Sequence, residues 1–442
     1  MELSTALRLQ AGDVVAFVGA GGKTSCLQRI VSELAEQMLV IASTTTKLAA
    51  HEASLTQNHY VIQTSKDLDE ALSNLSSTGA ALFTGPMIGQ EEKWTALDPA
   101  DLERLIAFTK DRAGIVLIEA DGAKGAKIKA PAAHEPAIPP GVTLVVPLMR
   151  IDALGLRPEE SQVHRPERIT QLLGIDLSEP LSIEHLADLI CHEEGGLKGI
   201  PEGAYVRVFI NAVDSKELTS AAQMLADTLN DEIRIRSVVV GSLLAADPVQ
   251  EVRGKTGVVV LAAGGSMRFG AQKLLQNWRG KPILRQVVEM VVVSGIQPAV
   301  VVLGANYEEV EGSILNLAIP RLENPAWSQG QSSSLKIGLR SIQGGCEAVI
   351  FVLGDMPDVD HELLNRLIET HRRTLQAIIA PFAGDRWGNP VLFDQRTFDD
   401  LLSLEGDRGG RALFDIYPPY SVQADRSVLF DIDTPDDLKI DD

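Results

Sequence analysis

The chain has 442 residues, of which 45% are hydrophobic and 23% are charged, a composition typical of a globular protein with two or three domains. Its formal net charge of -20 argues against nucleic acid or an anionic membrane surface as the main partner. The 3 cysteines follow no disulfide or metal-binding spacing and no apolar run reaches membrane-spanning length, so the sequence predicts a cytoplasmic protein.

Short apolar runs alternate with amphipathic helical patterns along the whole chain, which predicts α/β architecture. The strands predicted in the first half are 14–18, 39–42, 80–83, 115–118, 144–146, 206–210 and 238–240. Those predicted in the second half are 258–262, 299–303, 348–353 and 377–380. The polar stretch 245–256 is predicted to be a linker. We therefore expect two doubly wound, mostly parallel α/β sheet domains in tandem, the first at 1–245 and the second, Rossmann-like, at 256–442.

The first predicted strand runs into Gly19-Ala-Gly-Gly-Lys-Thr24 at the start of a predicted helix. Backbone N–H groups at a helix N-terminus favour phosphate, and a lysine and a hydroxyl at this place suit the outer phosphate oxygens and Mg²⁺. Phe17 stands where the full phosphate-loop pattern has glycine, so the loop is a shortened variant. The predicted nucleotide-binding residues are Gly19, Gly21, Gly22, Lys23 and Thr24, with Thr24 also a candidate Mg²⁺ ligand.

Polar residues follow two later strands of the first domain. Glu119 and Asp121 come after the apolar run 115–118. Asp121 is a candidate Mg²⁺ ligand, because carboxylates at this place suit the ion. The alternative is a cap, since acids at strand ends also cap helices. Asn211 and Asp214 follow the strand at 206–210 and are predicted to bind the nucleotide base. Phosphate-loop GTPases carry Asn-Lys-x-Asp here, and Ala212 in place of the lysine leaves ATP and GTP both open.

The first half as a whole resembles a known family. Besides the glycine loop, the motifs are Ser43-Thr-Thr-Thr-Lys47, Glu119-Ala-Asp-Gly-Ala-Lys124, Lys129-Ala-Pro-Ala-Ala-His-Glu-Pro136 and Val163-His-Arg165. Together they resemble the accessory protein of selenium-dependent molybdenum hydroxylases. The resemblance implies a maturation factor that binds ATP or GTP, with hydrolysis as an open alternative, and an apo molybdenum hydroxylase as partner.

The second half opens with a glycine loop at 261–273 that follows a β-branched strand. Its predicted nucleotide-binding residues are Ala262, Ala263, Gly264, Gly265, Ser266 and Gly270, with Arg268 and Lys273 as catalytic cations. Asp355 follows the strand at 348–353 and is predicted to be catalytic and, with Asp433, to hold Mg²⁺. The predicted substrate-binding residues are Ser333, Asn389 and Pro390, in the polar loops 324–335 and 388–390.

This ordered set of motifs is similar to the molybdenum cofactor cytidylyltransferases, over 256–442. The resemblance implies transfer of CMP from CTP to the phosphate of molybdenum-bound molybdopterin, with release of pyrophosphate. The order Ala262-Ala263-Gly264 favours the cytidylyl branch over the guanylyl branch. The alternatives are a guanylyltransferase, a sugar-phosphate or isoprenoid cytidylyltransferase, and a non-catalytic nucleotide-gated chaperone that inserts the cofactor.

Overall fold

The computed structural model describes residues 1–88, 93–266 and 269–439, so the predicted catalytic residue Arg268 lies outside the described residues. The chain divides into two compact units, Met1–Arg253 and Gly254–Asp442. Each unit has its own sheet with helices packed on it, and each is described here by itself.

The elements of the first unit alternate as a doubly wound fold requires. Its strands are β1 (Val14–Gly19), β2 (Leu39–Thr44), β3 (Leu48–Ala49), β4 (Asn58–Val61), β5 (Gly79–Thr84), β6 (Met87–Ile88), β7 (Lys93–Trp94), β8 (Ile115–Glu119), β9 (Ile128–Lys129), β10 (Leu144–Arg150), β11 (Val163–His164), β12 (Tyr205–Asn211), β13 (Ile235–Gly241) and β14 (Val249–Gly254). Its α-helices are α1 (Leu3–Ala6), α2 (Lys23–Leu34), α3 (Ser65–Ser73), α4 (Pro99–Asp111), α5 (Pro166–Leu173), α6 (Ile183–Cys191) and α7 (Lys216–Asn230).

The central sheet of the first unit has the order β14-β13-β12-β10-β1-β8-β2-β5-β4. The pairings from β4 through to β13 are parallel. Val14, Ala16 and Val18 of β1 are buried in one cluster with residues of α3 and α4, as expected for a strand in the middle of a covered parallel sheet. The carboxyl ends of these strands therefore meet at one edge, where such sheets bind ligands.

The stretch predicted to be a linker contains β14, which lies at the end of this sheet. Glu251 and Arg253 are buried there, and Arg253 Nε donates to Glu251 Oε1 at 2.8 Å. Arg253 Nη1 also lies 2.5 Å from Asp227 Oδ1 on α7. Because these charged side chains form ion pairs with one another, the polar stretch forms a buried strand instead of the predicted linker.

The second unit continues the chain with a further set of strands and helices. Its strands are β15 (Thr256–Ala262), β16 (Asn277–Trp278), β17 (Lys281–Pro282), β18 (Ala299–Leu303), β19 (Arg321–Glu323), β20 (Ala348–Leu353), β21 (Ile378–Ala383), β22 (Arg386–Trp387), β23 (Val391–Asp394) and β24 (Tyr420–Gln423). Its α-helices are α8 (Ile283–Ser294), α9 (Tyr307–Gly312), α10 (Gln331–Ile342), α11 (His361–Thr374) and α12 (Phe398–Ser403).

The sheet of the second unit has the order β19-β18-β15-β20-β23-β21-β22, with β24 paired to β21. The strands from β19 to β20 are parallel, whereas β23 is antiparallel to both β20 and β21. The sheet is therefore rich in parallel pairings, as predicted, but the antiparallel pairings make it mixed. The reason is the short connection between β21 and β23, which cannot hold a crossover helix and so returns the chain antiparallel.

Helices cover both faces of β15. Val258 and Val260 are buried in a cluster with α8 and α11, and Val259 is buried in another with α10 and α12. Glycine allows α10 to pack closely, since a Cβ on Gly338 would lie 2.3 Å from Val259 Cγ1. Among the helices that the structure describes, none is long and apolar enough to cross a membrane.

We expect Gly338→Ala to lower the free energy of unfolding by about 1–3 kcal/mol, because the added methyl group overpacks the contact between α10 and β15. Denaturant unfolding followed by circular dichroism measures the change. Gly312→Ala is the control, because Gly312 is also a helical glycine, the last residue of α9, but has open space where its Cβ would lie. Equal stability of the two variants would contradict the close packing of α10.

Candidate functional site

A large cleft lies at the carboxyl edge of the first sheet, with a volume of about 1230 Å³. Its lining comes from the segments that follow β1, β2, β8 and β13, and from the last residues of β10 and β12. The lining includes Gly21, Gly22, Lys23, Thr24, Thr45, Thr46, Lys47, Glu119, Arg150, Asn211, Leu243 and Leu244. The fold thus brings most of the polar residues predicted for this domain to one place.

The glycine loop after β1 is held by Asn211. Gly22 precedes α2 with a φ of 134°, and a Cβ there would lie 2.8 Å from Asn211 Nδ2. Asn211 Nδ2 donates to Gly21 O at 2.7 Å, and its Oδ1 accepts from Ala212 N at 2.7 Å and from Leu243 N at 3.0 Å. Asn211 was predicted to bind the base, but its amide is committed to the backbone, so it positions the loop.

Asp214, the other predicted base-binding residue, is exposed beyond the end of β12. Arg150 donates hydrogen bonds to Asp152, whereas Asp214 acts on Arg150 through its charge alone. Both carboxylates raise the pKa of the Arg150 guanidinium. Asp214 therefore contributes to the potential near the cleft.

Lys23 and Thr24 lie at the start of α2. The Lys23 side chain is 4% exposed, and Nζ donates to Gly19 O at 2.8 Å and lies 3.2 Å from Asp121 Oδ1. The Thr24 hydroxyl donates to Glu119 Oε2 at 3.1 Å, and both residues line the cleft. A hydroxyl beside a carboxylate at this place is a suitable pair of oxygen ligands for Mg²⁺.

Asp121 was predicted to hold Mg²⁺, and the structure gives it another position. Its Oδ2 accepts from Gly19 N at 2.9 Å and lies 2.8 Å from Lys129 Nζ. The side chain is 2% exposed and lines a small cavity together with Gly19 and Lys129. Because its oxygens are used to anchor the loop, Glu119 is the better placed acid for a metal in the cleft.

Lys129 contacts both Asp121 and Glu135. Lys129 Nζ donates to Glu135 Oε2 at 2.9 Å, and Arg165 donates to both Glu135 oxygens at 2.7 and 2.9 Å. We call Lys23, Asp121, Lys129, Glu135 and Arg165 the buried ion row. Burial alone would raise the pKa of Glu135, but the hydrogen bonds from Arg165 and Lys129 outweigh it and lower this pKa to about 2. The sequence places these residues in motifs but does not reveal the pairing.

In the second unit, the glycine loop leaves β15 through Ala263 and Gly264. Ser266 has a φ of 51°, and its hydroxyl donates to Gln272 Oε1 at 2.8 Å and accepts from Lys273 N at 3.2 Å. Gln272 Nε2 donates in turn to Ala305 O at 3.2 Å. Ser266 was predicted to bind nucleotide, but its hydroxyl closes the loop. No sequence signal distinguishes Gln272, the residue that completes this closure.

Lys273 lies between two carboxylates that come from distant parts of the second unit. Its Nζ is 2.6 Å from Asp355 Oδ2 at the end of β20 and 2.9 Å from Asp433 Oδ1. Burial would lower the pKa of Lys273, but the two carboxylates outweigh it and raise this pKa. The structure therefore brings together three of the predicted catalytic and metal-binding residues.

A third acid joins this group. Asp355 O accepts from Ile432 N at 3.1 Å, which holds the segment 431–433 beside β20. Burial and then the charges of Asp433 and Asp355 raise the pKa of Asp431. Within the described ranges, no group of three or more His, Cys, Asp or Glu side chains is arranged to hold a metal ion. A divalent ion here would need oxygens from a phosphate as well.

The predicted substrate-binding residues lie in two loops. Asn324 is buried and donates to Ser333 Oγ at 2.8 Å, while the Ser333 hydroxyl donates to Gly330 O at 2.8 Å. Ser333 thus holds its own loop in shape. Asn389 is half-buried and its backbone N–H donates to Val428 O at 3.0 Å, while Pro390 is buried. Asn389 thus links the β22–β23 connection to the segment before Asp431.

Both sites lie at the carboxyl ends of parallel strands in α/β units, and comparison with known proteins relates each unit to a family. The model of the YqeC protein family matches residues 15–167, and the model of the MobA-like NTP transferase domain matches residues 258–424. Through its second unit the chain belongs to the MobA-like NTP transferase family. This unit is a nucleotidyltransferase domain, and it follows a YqeC-type domain in the same chain.

Three relatives document these matches. YqeC of Escherichia coli (strain K12), described as uncharacterized, is 29% identical over 49% of this chain and 82% of its own length. The nicotine blue oxidoreductase of Paenarthrobacter nicotinovorans is 30% identical over 41% of this chain and 93% of its own length. The probable molybdenum cofactor guanylyltransferase of Bacillus cereus (strain Q1) is 25% identical over 33% of this chain and 72% of its own length.

We expect Glu135→Gln to lower the free energy of unfolding by about 3 kcal/mol near neutral pH, because it removes one partner of a buried ion row. A depressed carboxyl pKa stabilises the fold above the pKa of the unfolded chain and loses this effect as the pH falls. The difference between wild type and variant should therefore shrink from about pH 4.5 towards about pH 2.

Thermal unfolding across this pH range measures the difference, with the exposed Glu202→Gln as control. A difference that is constant with pH would contradict the depressed pKa of Glu135.

Proposed function

We propose that the second unit transfers CMP from CTP to the phosphate of molybdenum-bound molybdopterin and releases pyrophosphate. The observation that carries the proposal is the position of Lys273 between Asp355 and Asp433, at the carboxyl ends of strands beside the glycine loop. A lysine and acids at that edge are the groups that a nucleotidyl transfer needs.

In this reaction an oxygen of the acceptor phosphate attacks the α-phosphorus of CTP. The new P–O bond forms as the bond from the α-phosphorus to the bridging oxygen breaks, and pyrophosphate leaves with that electron pair. Lys273 neutralises the charge that develops at the α-phosphate, and the amides of Gly264 and Gly265 face the outer phosphates. Arg268 is also proposed to bind the outer phosphates, although it lies outside the described residues.

Asp355 and Asp433 are the residues that would hold Mg²⁺. They fit a cation, because an ammonium group already lies within 2.9 Å of both. When bound, the ion stabilises negative charge on phosphate oxygens. An ion held there would share the two carboxylates with Lys273, whose ammonium group would then be available to the α-phosphate.

Two observations support this substrate over the alternatives. The name of the Bacillus cereus relative supports the molybdenum cofactor as acceptor, and Ala262-Ala263-Gly264 supports CTP over GTP. The Paenarthrobacter relative is named an oxidoreductase. The paired charges of Lys273, Asp355 and Asp433 favour nucleotidyl transfer, because a triphosphate needs such charges and a hydride does not.

We further propose that the first unit binds ATP or GTP with Mg²⁺ in the cleft at the carboxyl edge of its sheet. The loop amides and Lys23 hold the phosphates, and Thr24 with Glu119 would hold the ion. The apolar side chains of Leu243 and Leu244, which line the cleft, offer a surface for the base. Nucleotide binding there prepares the cofactor for delivery to an apo molybdenum hydroxylase.

We expect Lys273→Ala and Asp355→Ala each to reduce CTP-dependent pyrophosphate release about 10²- to 10³-fold, because each removes a charge at the reacting phosphates. The assay uses purified full-length protein, molybdenum-bound molybdopterin and each nucleoside triphosphate in turn. Arg373→Ala removes an exposed cation of α11 and is the control. Full activity in both variants would refute the assignment, and faster release from GTP would assign a guanylyltransferase.

We expect Thr24→Val to weaken binding of Mg²⁺ with ATP or GTP about tenfold, because it removes a hydroxyl of the proposed metal site without changing the side-chain shape. A fluorescent nucleotide analogue measures the affinity, and Thr219→Val on α7 is the matched control. The wild-type protein should bind one of the two nucleotides. Absence of that binding, or equal affinity in Thr24→Val, would contradict the proposed nucleotide site.

A further inference from the structure

The cleft of the first unit has a second cationic wall besides the glycine loop. We define this wall as Lys124, Lys127, Arg150, Arg165 and His164, each of which lines the cleft. The residues come from the segment after β8, the end of β10 and the region of β11. Neither the proposed contacts of the nucleotide phosphates nor those of the base use them.

The charge of the cleft is unusual for this chain. Among the lining residues that the structure describes, seven are lysine or arginine and two are acids, whereas the chain as a whole has a formal net charge of -20. Both acids already have partners, since Glu119 accepts from Thr24 and Glu135 accepts from Arg165 and Lys129. A local positive excess in an acidic protein marks a site for an anion.

The three inner members of the buried ion row separate Lys23 from Arg165 of the second cationic wall. Asp121, Lys129 and Glu135 stand in sequence between Lys23 and Arg165, each in contact with the next. At the Arg165 end, His164 is paired with Lys129 across β9 and β11. Burial and the charges of Arg165, Lys129 and Lys124 lower the pKa of His164. The cleft therefore has two cationic centres, Lys23 and the second wall, and they adjoin where the Arg150 side chain packs against Gly21 of the glycine loop.

A tight turn and a shared acid fix the local structure of the second wall. Lys124 and Gly125 have left-handed φ values of 49° and 76°, and Ala126 N donates to Ala123 O at 2.9 Å to close the turn. Open space surrounds the Cβ position of Gly125. Lys127 and Arg150 share one acid, Asp152, at 2.9 and 2.8 Å, so this trio keeps a positive charge while its geometry is fixed.

The volume of about 1230 Å³ is larger than the roughly 300–1,000 Å³ of most small-molecule pockets. We infer that the cleft binds, beside the nucleotide, a second small molecule that carries a phosphate, held by Lys124, Lys127 and Arg150. This inference rests on the proposed nucleotide site of the first unit and names the class of its second ligand. The first unit is then a two-ligand site.

The experiment is equilibrium dialysis of the full-length protein with radiolabelled inorganic phosphate, at saturating Mg²⁺ and a non-hydrolysable ATP or GTP analogue. We expect Lys124→Gln to weaken phosphate binding about tenfold, because it removes one charge-assisted contact. Its affinity for the nucleotide analogue should equal that of wild type. Lys66→Gln on α3, whose side chain is 84% exposed, is the matched control. Any phosphate that binds to the second unit contributes equally in all variants, so it cancels when their phosphate binding is compared.

Two results would overturn the inference. Phosphate binding that is equal in Lys124→Gln and wild type would remove the second site. Exclusion of phosphate by the analogue, together with weaker analogue binding in Lys124→Gln, would assign the wall to the nucleotide's own polyphosphate. If no analogue binds but phosphate binding still depends on Lys124, the proposed nucleotide site fails and the phosphate site is supported.

Discussion

In each unit, the candidate site depends on a lysine that two carboxylates hold at the carboxyl ends of parallel strands. Lys23 follows β1 and meets the acids at the end of the neighbouring strand β8, and Lys273 follows β15 and meets Asp355 at the end of the neighbouring strand β20. A buried ammonium without partners is costly, so these contacts keep each lysine in place without a ligand. A phosphate group that binds there competes with the acids for the same cation.

The sequence is informative where a function requires a rare pattern. The apolar run of β1 followed by glycines and Lys23 predicts both a central strand and the start of α2, because few other structures need that order. The sequence is uninformative where a polar side chain forms hydrogen bonds with the backbone. Asn211 and Ser333 look like ligand contacts, and only the folded chain shows that their hydrogen bonds close loops. The strand β14 was missed because Glu251 and Arg253 pair inside the fold.

Net charge is a property of the whole surface, and it says little about one cleft. The chain is acidic enough to disfavour nucleic acid, yet the cleft of the first unit is lined mostly by cations. Acids that lie behind the lining, such as Asp121 and Asp152, balance part of this charge and fix the cations in position. The same acids explain why the cations stay ordered near one another despite their mutual repulsion.

The alternating signs of the buried ion row also limit how this protein can diverge. Loss of an inner member leaves two like charges facing each other, whereas loss of an adjacent pair of opposite sign leaves the remaining row balanced. Lys129 and Glu135 are such a pair. Related chains should therefore keep the row intact or exchange two neighbouring members together for apolar residues of similar volume. Each such exchange removes one positive and one negative charge, so the net charge of the row does not change.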